Sequence, residues 1–233
     1  MESTQTLFIY YLEQTFTLVE CPVVILALQK DTRSPTFTAE PIIRGFNLSK
    51  YRLHGPFDQI RYTPEIFQQC AKEELYRAKE KLLYRFIGKT PVFSYDDHGY
   101  LTLNSCNILI PHINGLDIKY ILAVLNSDIA SFYWKTGFDS VKLLKSHIET
   151  LPIPIASATQ QQRIVSLVDK ILTEEQNYDI ITTGEKFEEV KHGVRKRDLS
   201  SLDDIFNNIE NELSRLYGLT EDERSLIRKR VLN

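Results

Sequence analysis

The chain has 233 residues, of which 42% are hydrophobic and 25% charged. This composition is typical of a folded soluble protein and excludes a chain that is disordered throughout. The net charge of −3 does not by itself indicate a nucleic-acid binder. Three widely spaced cysteines without a CxxC pair argue against a disulfide framework or a zinc site. They favour a reducing cytoplasm, and since the N-terminus lacks a signal-peptide pattern and the longest apolar run is too short to span a bilayer, we expect a cytoplasmic protein without a membrane partner.

Charge is unevenly distributed along the chain. Residues 1–41 carry a net charge of −3, residues 42–147 of +4 and residues 148–233 of −4. A basic middle between acidic ends can form one electropositive face. The alternative is ordinary solvated surface charge.

The first half of the chain predicts mainly strands. A helix or strand over 7–16 and a strand over 21–30 precede a polar loop with two prolines at 31–41, and short strands and turns follow to residue 63. Thr63-Pro64-Glu65 predicts the start of a helix that runs to about Glu80. Three strand-like runs, 81–88, 91–95 and 100–111, then predict an antiparallel meander with a turn at 96–99.

The second half predicts mainly helices. Apolar spacing indicates a helix over 116–137, followed by a basic segment that ends in a proline-flanked strand at 151–155. Thr159 and Gln162 suggest a capping box before a helix over 160–173, whose apolar stripe either packs on its own domain or offers a partner surface. Residues 174–200 predict a loop or exposed helix. Two final helices, 202–217 and 221–231, are separated by Gly218, and Thr220 and Glu223 suggest a second capping box.

Signatures of catalysis are scarce. No two of the nine glycines form a GxG loop, so a local phosphate cradle is not expected. No Pro-Pro dipeptide occurs, and the Asn/Asp-Pro-Pro-Tyr motif of amino-methyltransferases is therefore missing. The five histidines show no metal-ligand spacing. We predict no catalytic, cofactor-binding or metal residue, although a nuclease built on Asp179, Glu189 and Lys191 is a third hypothesis.

Five segments carry distinctive patterns in a fixed order. They are PIIRGFNLSKY (41–51), EKLLYRFIGKTPVFSYDDHGYLTLNSCNILIP (80–111), LDIKYILAVLNSDIASFYWK (116–135), LPIPIASATQQQRIVSLVDKIL (151–172) and LSRLYGLTEDE (213–223). Together they resemble the C-terminal specificity domain of TaqI-like methyltransferases and single-chain type IIG restriction–modification enzymes. The segment FTLVECPVVILALQK (16–30) is similar to the last strands of a methyltransferase sheet.

The resemblance implies an α+β fold, with a small twisted antiparallel or mixed β-sheet, packed helices and a C-terminal helical segment. It divides the chain into a methyltransferase remnant and linker (1–40), a DNA target-recognition domain (41–156) and a helical segment (157–233). The implied function is sequence-specific recognition of double-stranded DNA for an adenine-specific methyltransferase, with S-adenosylmethionine bound by the full-length or partner enzyme. Methyl transfer by this chain alone is not expected. The alternative is a subunit that docks onto a separate methyltransferase or restriction protein.

The resemblance also suggests which residues meet DNA. Cations suit phosphates, whereas amides and hydroxyls suit base edges, and Arg85 and Asn104 are candidates for guanine and adenine. The alternative is a basic sheet face without a ligand, with Asn104-Ser105 as a bulge. The residues predicted to contact DNA are Arg44, Lys50, Arg52, Lys81, Arg85, Lys89, Asn104, Ser105, Lys135, Lys142, Lys145 and His147.

Overall fold

The computed structural model describes residues 9–10, 16–19, 39–67, 69–173 and 196–232, with the backbone alone for 9–10, 16–19, Ile66 and 196–201. These residues form an α+β fold, as predicted. The predicted strand over 21–30 and the nuclease residues Asp179, Glu189 and Lys191 lie outside the described residues.

The larger sheet has four antiparallel strands. Its strands are β2 (Phe16–Val19), β5 (Lys81–Arg85), β6 (Phe93–Asp96) and β8 (Cys106–Pro111), in the order β2-β8-β5-β6. The predicted hairpin between the first two strand-like runs is confirmed, since Leu82 pairs with Tyr95. The predicted order of a meander is wrong, because β8 pairs with the opposite edge of β5, where Leu82 faces Leu109.

The smaller sheet explains this departure. Strand β3 (Glu40–Ile43) lies between the antiparallel β4 (Asp58–Ile60) and the parallel β7 (Leu101–Thr102). The predicted single strand over 100–111 is therefore two strands in two sheets. A turn in which the Cys106 amide donates to the Leu103 carbonyl at 2.8 Å separates them, so Asn104-Ser105 form a turn rather than a bulge.

Two predicted helices are interrupted. The predicted helix over 64–80 is a 3-10 turn at Pro64–Ile66 and a short helix α1 (Glu73–Tyr76), because the backbone is extended at Phe67 and at Lys72. The Ala71 amide donates to the Tyr76 hydroxyl just before α1. The predicted helix over 116–137 is α2 (Ile118–Asn126) and α3 (Asp128–Gly137). Ser127 is extended, and its side chain caps α3 by accepting from the Ala130 amide.

The remaining elements are short α4 (Lys145–Glu149), strand β9 (Ile153–Pro154), which pairs with β1 (Ile9–Tyr10), and three helices, α5 (Ala158–Thr173), α6 (Lys196–Leu216) and α7 (Glu221–Leu232). The first predicted capping box is displaced by two residues, because Ser157 and Gln160 exchange the capping hydrogen bonds. The second is confirmed at Thr220 and Glu223. No helix in the described ranges is long and apolar enough to cross a membrane.

The described residues fall into two compact units. A sheet unit contains 16–19, 39–113 apart from Gln68, and 140–149. A helical unit contains 9–10, 114–139, 150–173 and 196–232. Of the predicted apolar stripe of α5, Ile164, Val165, Val168 and Ile171 are buried, whereas Leu167 and Leu172 are half-buried. The division at 40/41 and 156/157 stays a prediction.

Candidate nucleic-acid interface

Loops from four parts of the sheet unit lie together at one end of the larger sheet. Parallel strands β3 and β7 end at the same edge, so the chain after Ile43 and the chain after Thr102 emerge together. Strand β5 ends and strand β8 begins there as well, because Arg85 pairs with Cys106. We call the segments 44–54, 85–89, 104–107 and 140–149 the basic end.

Charge is segregated to this end. Its four segments carry seven lysine and arginine residues and a single carboxylate, Glu149. The other described residues of the sheet unit between 39 and 113 carry eight carboxylates and five lysine or arginine residues. The basic end therefore holds seven of the fourteen lysine and arginine residues between 42 and 147, with only Glu149 as a carboxylate in the same segments.

Ser105 and Arg85 join the first three segments. The Ser105 hydroxyl accepts the Gly45 amide at 2.9 Å, and the Ser105 carbonyl accepts the Phe86 amide at 3.2 Å. The Arg85 guanidinium donates to the carbonyls of Gly45 at 2.9 Å and Leu48 at 2.5 Å. Arg85 thus binds the carbonyl of the first residue of the 3-10 turn Gly45–Asn47 and the carbonyl of Leu48, which follows the turn, and fixes that turn on the end of β5.

Glycine is required at position 45 because the backbone at Ser105 lies very close to it. A Cβ on Gly45 would lie 2.6 Å from the Ser105 carbonyl oxygen, inside any normal contact distance. A larger residue would push the 3-10 turn away from Ser105. The glycine of the sequence Arg44-Gly45 is therefore explained by packing against Ser105.

The fourth segment attaches to the end of β5 through the backbone. Gly88 donates to the Val141 carbonyl at 2.9 Å, and Leu143 donates to the Phe86 carbonyl at 2.8 Å. The Lys142 ammonium lies 5.9 Å from the centre of the Phe86 ring. Segment 140–149 is therefore part of the basic end although almost forty residues separate it from Thr102.

A strained turn presents Lys50. Tyr51 has a φ of 75°, which side chains rarely adopt, and it is buried. Its amide donates to the Phe93 carbonyl at 2.7 Å and its carbonyl accepts the Tyr95 amide at 3.0 Å. These bonds tie the turn that contains Lys50 to β6 and hold Tyr51 in its rare conformation.

Most predicted contact residues lie at the basic end. Those exposed there are Arg44, Lys89, Asn104, Ser105, Lys142 and Lys145. Lys50 and His147 are half-buried, and Arg52 is buried. Within the described residues, Lys50, Lys89 and Asn104 make no hydrogen bond or ion pair, whereas Arg44 pairs with Asp58 at 2.6 Å and Lys145 with Glu149 at 3.5 Å. Arg85 is half-buried and holds the 3-10 turn, so its proposed guanine contact competes with a structural role.

Two predicted contact residues lie elsewhere. Lys81 begins β5, about 13 Å from Arg85 at the normal rise per strand residue, and its ammonium is enclosed with Asp96. Lys135 belongs to the helical unit, where its ammonium donates to the Val231 carbonyl at 2.6 Å near the end of α7. Lys81 and Lys135 therefore do not belong to the basic end.

The basic end lies in a region that matches the model of a known domain family. Residues 40–153 match the model of the TaqI-like C-terminal specificity domain. The sequence resemblance is confirmed for this region. All four segments of the basic end lie within the TaqI-like region. The match supports the coarser functional prediction, a sequence-specificity domain of a restriction–modification system.

Two solved structures show limited similarity to this chain. The HsdS subunit from Thermoanaerobacter tengcongensis is 12% identical, with a TM-score of 0.46 over 93% of this chain and 46% of that one. A chain from a structural study of complex assembly and conformational transition of the type I R-M system is 11% identical, with a TM-score of 0.44 over 93% and 47%. The chain thus spans less than half the length of either protein. No curated protein sequence matches it.

Sequence reasoning missed part of the TaqI-like region's surface. Phe46, Ile87 and Val141 are large hydrophobic residues exposed at the basic end. Nothing in the sequence marks them, since apolar residues beside strands are usually buried. Asn47 was also missed: it is buried, and its side-chain amide donates to the carbonyls of His54 and Pro56, which closes the loop that carries Lys50. Among the described residues, no group of three or more His, Cys, Asp or Glu side chains is placed to hold a metal ion.

Proposed function

We propose that this chain recognises a specific sequence in double-stranded DNA for a restriction–modification adenine methyltransferase, and that the basic end is the contact surface. The observation that carries the proposal is the segregation of seven lysine and arginine residues against one carboxylate within a TaqI-like region. Phosphate contacts from such a surface supply affinity, and neighbouring amides and hydroxyls supply base contacts.

The donors at the basic end suit both tasks. Lys89 and Lys142 are exposed cations on adjoining segments, which suits phosphates on either side of a groove. Asn104 is exposed at the tip of the turn between β7 and β8, and an amide can pair with the N6 and N7 atoms of adenine. The backbone bonds that fix these segments limit the entropy lost on binding.

The catalytic step belongs elsewhere in this proposal. A partner chain or a further part of the protein binds S-adenosylmethionine and flips the target adenine. We propose that the whole enzyme has a type IIG organisation or a related one and acts in the cytoplasm. This chain contributes position and sequence choice. Its task is to hold the duplex in one register so that a single adenine reaches the catalytic site.

Fluorescence anisotropy on a randomised duplex pool, titrated over salt and followed by selection of the bound fraction, tests the proposal. We expect affinity that falls steeply with salt and a short enriched motif. The variant Lys89→Glu/Lys142→Glu should lose binding. The control Lys72→Glu/Lys79→Glu changes net charge equally on exposed lysines outside the basic end and should retain it.

Absence of binding at about 50 mM salt, where phosphate contacts are strong, would overturn the proposal. Equal loss in both double variants would also count against it, because general charge rather than the basic end would then govern affinity. Co-elution with a methyltransferase in the absence of DNA binding would favour the docking-subunit alternative.

A further inference from the structure

Three hydrophobic side chains at the basic end remain in solvent. Phe46 is 59% exposed, Ile87 55% and Val141 61%. Within the described part of the sheet unit, these three are the large hydrophobic residues that are exposed, and all belong to the basic segments. Single exposed apolar residues are common on protein surfaces. Here all three lie in the most basic part of the unit, which indicates a function for them.

The backbone around each of the three is fixed. Phe46 lies in the 3-10 turn, between Gly45, whose amide is bound by Ser105, and buried Asn47. Ile87 forms an antiparallel bridge with Lys142, and the Val141 carbonyl accepts the Gly88 amide. The exposed side chains are therefore presented by anchored segments, and their exposure does not come from a frayed loop.

A ligand for this surface must be anionic and must also offer apolar contact. Lys89 and Lys142 flank the apolar side chains in sequence, two residues after Ile87 and one after Val141. The major groove of DNA meets both requirements, because phosphates border it and the C5-methyl group of thymine projects into it. Burying that methyl group against an exposed side chain removes apolar surface from water on both partners.

We propose that Phe46, Ile87 and Val141 contact thymine methyl groups in the major groove and thereby contribute to the choice of sequence. This inference rests on the proposed function, because it names the base chemistry recognised by the same surface. It assigns specificity to apolar contacts, whereas the sequence pointed to Arg85 and Asn104. The selected motif should accordingly contain at least one A·T pair.

Replacing thymine by uracil in the selected duplex removes only the methyl group. Each thymine position is replaced in turn, and binding is measured by anisotropy at fixed salt. At one or more positions the wild-type protein should bind the uracil duplex about fourfold more weakly, the value for one buried carbon group. At that position, one of the variants Phe46→Ala, Ile87→Ala or Val141→Ala should bind the thymine and uracil duplexes equally.

Leu226→Ala is the matched control, because Leu226 is an exposed hydrophobic residue of the helical unit. It should keep the wild-type discrimination between thymine and uracil. Thermal melting of each variant checks folding, and each side chain is exposed enough that truncation should leave the melting temperature nearly unchanged.

The outcomes separate the two proposals. Sequence-specific binding that is insensitive to every uracil substitution overturns this inference and leaves the proposed function intact. An equal loss by a variant on thymine and uracil duplexes also overturns it, since the side chain then contacts something other than the methyl group. Absence of salt-dependent DNA binding by the wild-type protein overturns both, and loss of a protein complex in the same variants would then identify the surface as a protein interface.

Discussion

The Lys81 ammonium lies 2.5 Å from the Asp96 carboxylate, and neither side chain is exposed to solvent. The two residues face each other directly across β5 and β6. Lys81 also donates to the Tyr76 carbonyl at 2.6 Å, and Asp96 accepts the amides of His98 and Tyr100. This enclosed pair ties α1, two strands and the 96–100 turn together, at the end of the sheet opposite the basic end.

Removing one member of this pair should strongly lower the stability of the fold. Lys81→Met or Asp96→Asn leaves a buried polar or charged group without its partner, and we expect a loss of about 3–5 kcal/mol in the free energy of unfolding. Urea denaturation followed by circular dichroism measures it. The double variant Lys81→Met/Asp96→Leu should recover part of the loss, because no charge then stays buried. Single variants within about 0.5 kcal/mol of wild type would contradict an enclosed pair.

The same pair shows what sequence patterns can reveal. Alternation and turn residues are local signals, and they predicted the β5–β6 hairpin. From the sequence alone, Lys81 at the start of a strand is predicted to contact DNA. Its enclosure depends on a partner fifteen residues away and on the packing of Tyr76, which no short pattern contains.

Long-range pairing limited the prediction of the candidate site as well. The run 100–111 is predicted as one strand, yet its first part, β7, pairs with β3 and its second part, β8, pairs with β5. That division creates the turn at Asn104 and Ser105 on which the basic end is assembled. The family resemblance located the region, but the exposure of Phe46 and the anchoring role of Arg85 depend on contacts about forty residues apart.

Tyr120 should make stability depend on alkaline pH. Its hydroxyl donates to the Pro154 carbonyl at 2.8 Å, and burial raises its pKa. An unfolded tyrosine ionises near 10. The stabilisation is therefore complete below about pH 10, and it is lost as pH rises from there towards the folded pKa. Urea midpoints measured between pH 8 and pH 11 should fall.

Tyr120→Phe isolates this contribution from that of other groups. At pH 8 the variant should lose about 1 kcal/mol, the usual value of one hydrogen bond. Its decline above pH 10 should be shallower than that of wild type, because the buried ionisable hydroxyl is gone. Parallel declines in the two proteins would show that Tyr120 ionises as freely in the folded state as in the unfolded one.

Gly45→Ala should disturb the basic end while leaving the rest of the fold intact. The added Cβ meets the Ser105 carbonyl, so the 3-10 turn must shift, at a cost of about 1–3 kcal/mol. Specific DNA binding should weaken, since Phe46 and Arg44 move with the turn. Gly137→Ala is the control, because apart from its chain neighbours and its own helix backbone nothing lies within 4 Å of a Cβ at that position. Wild-type stability and binding in Gly45→Ala would contradict the close approach.

Lys50→Ala and Lys89→Ala should weaken binding to all duplexes alike. Each removes a cation that makes no ion pair within the described residues, so each should reduce the slope of log affinity against log salt by about one. Anisotropy at four or more salt concentrations gives the slopes. Lys79→Ala, at an exposed lysine of the same unit outside the basic end, should leave the slope unchanged. A change of sequence preference in either variant would indicate a base contact instead.

Asn104→Ala should weaken binding to the selected sequence without changing the salt dependence of affinity. Asn104 is exposed on the turn that Ser105 anchors, and its side chain makes no hydrogen bond within the described residues, so its amide is available to a base edge. We expect a loss of about 1–3 kcal/mol on the selected duplex, relaxed preference at one base pair and an unchanged salt slope. Repeating the selection with the variant identifies that position, and Asn114→Ala, at an exposed asparagine of the helical unit, serves as the control. An unchanged motif would remove Asn104 from the recognition surface, and the choice of sequence would then depend on the apolar contacts and on Arg85.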